Sequence, residues 1–477
     1  MSTNETSALI PQNVNHLRII SISVVAALGG FLFGYDSGVI NGTVGALQMA
    51  FDSDAVGTGF NIASMLLGCA VGAFFAGTLS DKIGRRSTLL LAAMAFVISA
   101  WGSGIAPSST VFVIFRVLGG LAVGAASIIA PAYIGEIAPS HIRGRLISLQ
   151  QLAIVLGLFM AFFSNYNIAK AAGGASEYLW WGFGAWQWMF WMEIIPASIF
   201  LFTLFIIPES PRYLVAVGRD EKARRILSGF TNRETATREV NDIKSTVFRE
   251  RKPRLSDIIQ SATGKIHPVV WVGMALAALQ QFTGINVVFY YGSVLWQAAG
   301  FTESDALLTN VINGSVNVFF TFVAIALVDR VGRKPLLMIG ALGQTLMLGL
   351  LALVFAFGAK NAAGGIELSG QSGLWALLAA NGYIAFFAFT WGPVMWVMLG
   401  EMFPNKFRGA ALAVAGLVQW GSNFLITITF PILLASIGLG ISYGIYAAFG
   451  IVAFIIVRKY VTETKGRTLE EISRDES

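Results

Sequence analysis

Cysteine is nearly absent. One residue in 477, Cys69, excludes a disulfide within the chain and leaves the redox compartment open. Histidine is almost as scarce: His16, His141 and His267 are scattered, and with no H-E-x-x-H segment a hydrolytic metal site has no ligand set. No G-x-x-x-x-G-K-[ST] loop occurs, which removes ATP binding of the P-loop kind, and no G-x-S-x-G elbow marks a serine hydrolase. An enzyme is therefore not expected, nor a metal or cofactor. Charge is short as well, at 12% of residues beside 55% hydrophobic ones, where soluble domains carry about 25% charge. That is too much apolar surface for a water-soluble monomer.

Apolar stretches of about 20 residues, enough to carry a helix across roughly 30 Å of hydrocarbon, fall near 19–40, 58–78, 88–106, 110–134, 146–168 and 187–207. Six more follow near 269–291, 308–328, 335–358, 373–398, 409–430 and 438–460. The chain also repeats itself. GEIAPSHIRG at Gly135–Gly144 returns as GEMFPNKFRG at Gly400–Gly409, and LSDKIGRRS around Asp81 and Arg85 returns as LVDRVGRKP around Asp329 and Arg333. Charged motifs repeated at nearly half the chain length imply duplicated halves. The expected fold is all-α and polytopic: twelve transmembrane helices in two pseudo-symmetric six-helix bundles, 1–207 and 269–477, joined by a cytoplasmic linker at 208–268 with short helices.

Lys and Arg set the orientation, because short loops rich in them stay in the cytoplasm. With both termini inside, all of the 32 basic residues except Arg116, Lys170 and Lys360 lie on the cytoplasmic side. A multi-pass protein of the cell membrane follows. The net charge of +6 then reflects topology and contact with anionic lipid heads of the bilayer, and a nucleic acid partner is an unnecessary inference. The polar first 17 residues lead into a span too long for a removed signal peptide. Asn-x-Ser/Thr strings at Asn4, Asn41 and Asn313 read as chance matches.

Polar residues inside the spans carry the functional argument. Asp36 lies near the outer end of the first span, where an isolated charge costs about 3 kcal/mol on insertion scales. Arg116 in the fourth span and Glu193 in the sixth fall at similar depth, so three ionisable groups are candidate partners. A static ion pair is the plain reading. The sharper one is a proton switch, in which desolvation and Arg116 pull Asp36 in opposite directions and its protonation releases the Arg.

The second half holds uncharged hydrogen-bonding groups instead: Gln280, Gln281, Asn286 and Tyr290 in span seven, Asn317 in span eight and Gln419 in span eleven. Amides both donate and accept, which suits a neutral polyhydroxyl ligand. Trp396 and Trp420 offer flat faces for a sugar ring, Gly392 and Pro393 should interrupt span ten, and Gln151 with Phe33 could complete the cavity from the first half. A third group is a candidate cytoplasmic gate: Asp81, Arg85, Glu136, Arg143, Glu209 and Arg212, with counterparts Asp329, Arg333, Glu401, Arg408 and Glu463. Exposed pairs are worth about 0–1 kcal/mol each, so only a network of them could latch the bundles.

These residues resemble the sugar porter branch of the major facilitator superfamily over essentially the whole chain. The resemblance rests on GFLFGYD at 30–36, DKIGRR at 81–86, PESPR at 208–212, QQFTGINVVFYY at 280–291, WGPVMW at 391–396 and QWGSNF at 419–424. It implies alternating access with one monosaccharide between the halves, contacted by Gln151, Gln280, Gln281, Asn286, Asn317, Trp396, Gln419 and Trp420. Asp36 matches the acid that proton symporters of this family carry where facilitative glucose uniporters have Asn, so proton-coupled symport is expected, with Arg116 and Glu193 as partners. The alternatives are a facilitative uniporter and a non-transporting sensor. A functional monomer is expected, and a glucose-like hexose is the default substrate. Two positions depart from the family pattern: Thr462 replaces the Pro of the last motif, and Gln187 replaces an Arg before the Trp-Met of span six.

Overall fold

A computed structural model of the chain describes residues 15–249, 255–260, 264–360, 366–368, 370–404 and 407–465. Twelve helical segments are long and apolar enough to cross a membrane. Spans one to six are His16–Gly42, Ala55–Ile83, Arg85–Ile105, Ser109–Ile137, Ile142–Ala172 and Ala185–Leu204. Spans seven to twelve are Pro268–Ala298, Glu303–Val328, Arg333–Ala356, Gln371–Met402, Arg408–Ser436 and Gly438–Tyr460. Most run several residues past the apolar stretches. Strand is confined, among the described residues, to isolated bridges and one pair of dipeptides, Ala359–Lys360 against Ile366–Glu367. Twelve crossings put both ends of the bundle sequence on one face, called here the terminal face; the opposite one is the far face.

The two halves pack alike. Span one lies on five as seven lies on eleven, and span three on four and six as nine lies on ten and twelve. Contacts between the halves obey the same exchange, since span two meets eleven and span five meets eight. Small residues permit close approach in a medium that gives helices no hydrophobic drive to associate: a Cβ on Gly68 of span two would run into the Val117 carbonyl of span four.

Spans six, seven and ten are irregular. Span six breaks at Met192–Glu193, between Ala185–Trp191 and Ile194–Leu204, because Pro196 has no N–H for the Met192 carbonyl. Span seven breaks at Thr283–Gly284. Gly284 has φ +85°, and a Cβ there would lie 2.7 Å from the Tyr446 ring. The irregularity expected at Gly392 and Pro393 occurs just before them, as a π-helical turn over Phe387–Trp391. Among its described residues the linker holds three α-helices, Pro211–Ala216, Asp220–Leu227 and Arg233–Arg249, and a 3-10 turn at Leu255–Ile258.

Candidate functional site

Arg116 and Asp36 form an ion pair between spans four and one, each 1% exposed. The guanidinium also reaches the Met65 sulfur at 2.9 Å and the Asp36 carbonyl at 3.5 Å, and lies over the Phe190 ring at 5.6 Å. The pairing offsets the cost of burying either charge alone. It is incomplete, because Asp36 Oδ2 and Arg116 Nε are buried without a hydrogen-bond partner in the protein. Glu193, 2% exposed at the break in span six, lies within Coulomb range of both. The three ionisable groups picked out by depth thus share one buried site in the first half.

The amides assemble on the second half, and the break in span seven is what joins them. Gln280 and Gln281 end its first segment and Asn286 opens the second, so Asn286 Nδ2 donates to Gln281 Oε1. Gln281 Nε2 donates to Gln280 Oε1 at 3.0 Å, and Gln419 Nε2 reaches the same oxygen at 3.5 Å. Gln280 Nε2 in turn donates to the Trp391 carbonyl at 2.9 Å and more loosely to that of Gly392 at 3.4 Å. Gln419 Oε1 stays buried without a partner. From the first half Phe33 meets Trp420, ring centroids 5.6 Å apart. Trp396 keeps 38% of its surface exposed, Gln151 is half-buried, and Tyr290 and Asn317 are buried at 4% and 5%; no bond ties these four side chains into the amide string. Reading the sequence did not single out Trp391, whose carbonyl anchors the string.

On the terminal face the charges pair within each half. Arg85 bridges Asp81 and Glu136, both at 3.0 Å, while Glu136 also accepts from Ser210 Oγ. Glu209 accepts from the backbone N–H groups of Arg85 and Arg86 at 3.0 and 3.1 Å. The second half repeats the contacts of Glu136, Ser210 and Glu209: Arg333 pairs with Glu401 at 2.8 Å, Thr464 Oγ1 donates to Glu401, and Glu463 accepts from the N–H groups of Arg333 and Lys334. Burial pushes the Glu463 carboxyl up, but backbone N–H groups of Lys465, Arg333, Lys334 and Thr464 outweigh it and hold it below the usual range. Arg143 and Arg408 each donate Nε to a carbonyl five residues back, Ala138 and Phe403. Arg212 follows Pro211 at the start of the first linker helix, and the Asp329 side chain lies outside the described residues. These pairs form a clasp inside each half. Thr462 does no harm to it, because Glu463 and Thr464 make the contacts that Glu209 and Ser210 make. Gln187, the other departure, caps span six by accepting from Gly184 N and donating to the Gly104 carbonyl, both at 2.8 Å.

The halves are bonded to one another on the far face. Asn41, 0% exposed at the end of span one, donates Nδ2 to the Phe289 carbonyl at 2.8 Å, accepts at Oδ1 from Asn310 at 2.8 Å, and accepts at its backbone oxygen from Ser293. Glu303 adds a bond to Ala175 N at 2.9 Å.

A family model described as "Sugar (and other) transporter" matches residues 22–475. The chain belongs to the sugar transporter family. It is similar to the glucose transport protein of Synechocystis sp., 51% identical over 98% of this chain and 100% of that one. It is also similar to the D-xylose-proton symporter of Escherichia coli K12, 41% identical over 96% of each chain. The inward open conformation of the xylose transporter XylE from E. coli superposes with a TM-score of 0.82 at 38% identity, covering 96% of this chain and 100% of that one. As a member of the sugar transporter family the chain is a carrier and not an enzyme, and its twelve spans have the major facilitator architecture.

Proposed function

We propose that the protein is a proton-coupled monosaccharide symporter of the cell membrane, working as a monomer by alternating access between bundles 1–207 and 269–477 with both termini cytoplasmic. The observation that carries this reading is the division of chemistry between halves: a buried carboxylate–guanidinium pair, Asp36 and Arg116, in one, and a string of neutral amides ending on the Trp391 carbonyl in the other. Relatives that transport glucose and couple xylose to protons support both parts.

In this mechanism the sugar binds against Gln280, Gln281, Asn286 and Gln419, with Gln151 and Asn317 beside them and Phe33, Trp396 and Trp420 as apolar walls; Tyr290 and Gly392 belong to the same lining. The amides exchange bonds with each other for bonds with hydroxyl groups, so little hydrogen-bonding is lost on binding. Gln280 is the link to movement, since engaging a sugar loosens its hold on the carbonyls of Trp391 and Gly392, where span ten is already π-helical. Protonation of Asp36 releases Arg116, with Glu193 as neighbouring carboxyl, and changes the relative energy of the two states. At about 150 mV, one charge per sugar supplies about 3.5 kcal/mol, a few hundredfold accumulation.

A glucose-like hexose is the proposed substrate. The decisive experiment is uptake of radiolabelled sugar into proteoliposomes with unlabelled hexose, pentose and cyclitol competitors, with the proton gradient present and then collapsed. Uptake that stops at equal concentrations on both sides even with the proton gradient present would reduce the reading to facilitative uniport, and accumulation that survives collapse would take the coupling away from protons.

A further inference from the structure

The loop between spans five and six makes a tight hairpin, with Tyr178 bridged to Gly184 and Phe183 N donating to the Trp180 carbonyl at 3.1 Å. The two central residues have positive φ, Trp181 at 57° and Gly182 at 78°. A two-residue turn with this sign at both positions favours Asn-Gly or Asp-Gly, and a bulky side chain at the first is strained. The strain brings the indole no burial, as Trp181 is 85% exposed. Tyr178 and Trp180 beside it are 77% and 54% exposed. An outlier of this kind, held in place by its surroundings, points to a use for the side chain.

The surroundings say what that use is. Trp188 of span six sits against Trp180 and Trp181 with ring centroids at 5.3 and 5.4 Å, and against Trp191 at 5.2 Å. Its Nε1 donates to the Trp180 carbonyl at 3.3 Å, which ties the hairpin to the helix. From there the exposed apolar line continues down span six through Ile195, Ile199 and Phe202, 55%, 51% and 68% exposed. No Asp, Glu, Lys or Arg occurs from Tyr178 to Trp191. The patch is thus continuous with the lipid-facing side of a transmembrane helix and stands at its far end, the level at which Trp and Tyr rings favour the membrane–water boundary. We infer that the Tyr178–Trp191 hairpin is an interfacial anchor, with the Trp181 ring seated in the headgroup layer of the far leaflet. The partner is the lipid surface. Span eleven reaches span twelve through Ile437 alone, so the second half has no such hairpin at the equivalent place, and the anchor holds the first half at a fixed depth while the other turns against it.

The test uses the full chain in phosphatidylcholine vesicles brominated either near the headgroup or at the chain ends. Trp181→Asn puts a favoured residue in the turn and should fold with an unchanged or higher unfolding temperature. The emission lost in that variant, wild type minus mutant, should be quenched by headgroup-level bromine more than by chain-end bromine and should resist acrylamide added to the water. Quenching by acrylamide with no effect of either bromolipid would overturn the anchor. So would protection from acrylamide by added monosaccharide, which would make the hairpin a carbohydrate platform, or protection that vanishes on dilution of protein in lipid, which would make it a contact with a second copy.

Discussion

Asn310 donates its amide to Asn41 Oδ1 at 2.8 Å across the boundary between the halves, in a site from which solvent is excluded. Asn41 commits its side-chain nitrogen, side-chain oxygen and backbone oxygen to second-half partners, so this one residue carries much of the far-face closure.

Asn41→Ala removes two of those three bonds. At about 1 kcal/mol net for each, the equilibrium between far-face-closed and far-face-open states should shift by roughly tenfold or more toward open. Distance measurements between spin labels placed at the far ends of spans two and eleven check this, and an unchanged distance distribution would show that packing alone closes the face.

Asp36→Asn keeps the shape of the side chain and removes its charge. Accumulation against a gradient should vanish while exchange of sugar between the two sides survives. Wild-type accumulation in the variant would take proton coupling away from this carboxyl.

Gln281→Ala breaks the amide string at its middle, leaving Gln280 Oε1 and Asn286 Nδ2 each short of a partner. A lost buried hydrogen bond costs about 1–3 kcal/mol, so the sugar dissociation constant should rise about tenfold or more. Calorimetric titration measures it, and unchanged affinity would move the site.

Glu463 gives a pH signature on the terminal face. Its folded pKa lies below the ordinary value of 4.5, so its contribution to stability is present in full above that value and is lost as pH falls through the depressed one. The difference in unfolding temperature between the wild type and Glu463→Gln should be largest near neutrality and shrink under acid. A difference that stays constant on acidification would mean that the backbone N–H groups do not favour the ionised form.

Much of this was legible in the chain because lipid imposes simple rules. Span number, the duplicated motifs and the shared depth of Asp36, Arg116 and Glu193 follow from hydropathy, spacing and topology alone. The break in span seven was not, since Thr283–Gly284 contains no proline and glycine is common throughout the spans; its cue is steric, the Tyr446 ring arriving from 162 residues away. Asn41 looked like a chance glycosylation string, and its partners at 289, 293 and 310 are set by how the halves dock. The charge clasps are readable as charge, but Ser210 and Thr464, which complete them, carry none to mark them.

The clasps on the terminal face also bear on ancestry. Arg85, Glu136, Glu209 and Ser210 find their twins in Arg333, Glu401, Glu463 and Thr464, whereas the interiors hold different polar groups, Asp36 with Arg116 in one and Gln280, Gln281 and Gln419 in the other. After one gene became two joined copies, the scaffolding at the rim was kept in duplicate while the middles diverged, one around a charged pair and the other around neutral amides.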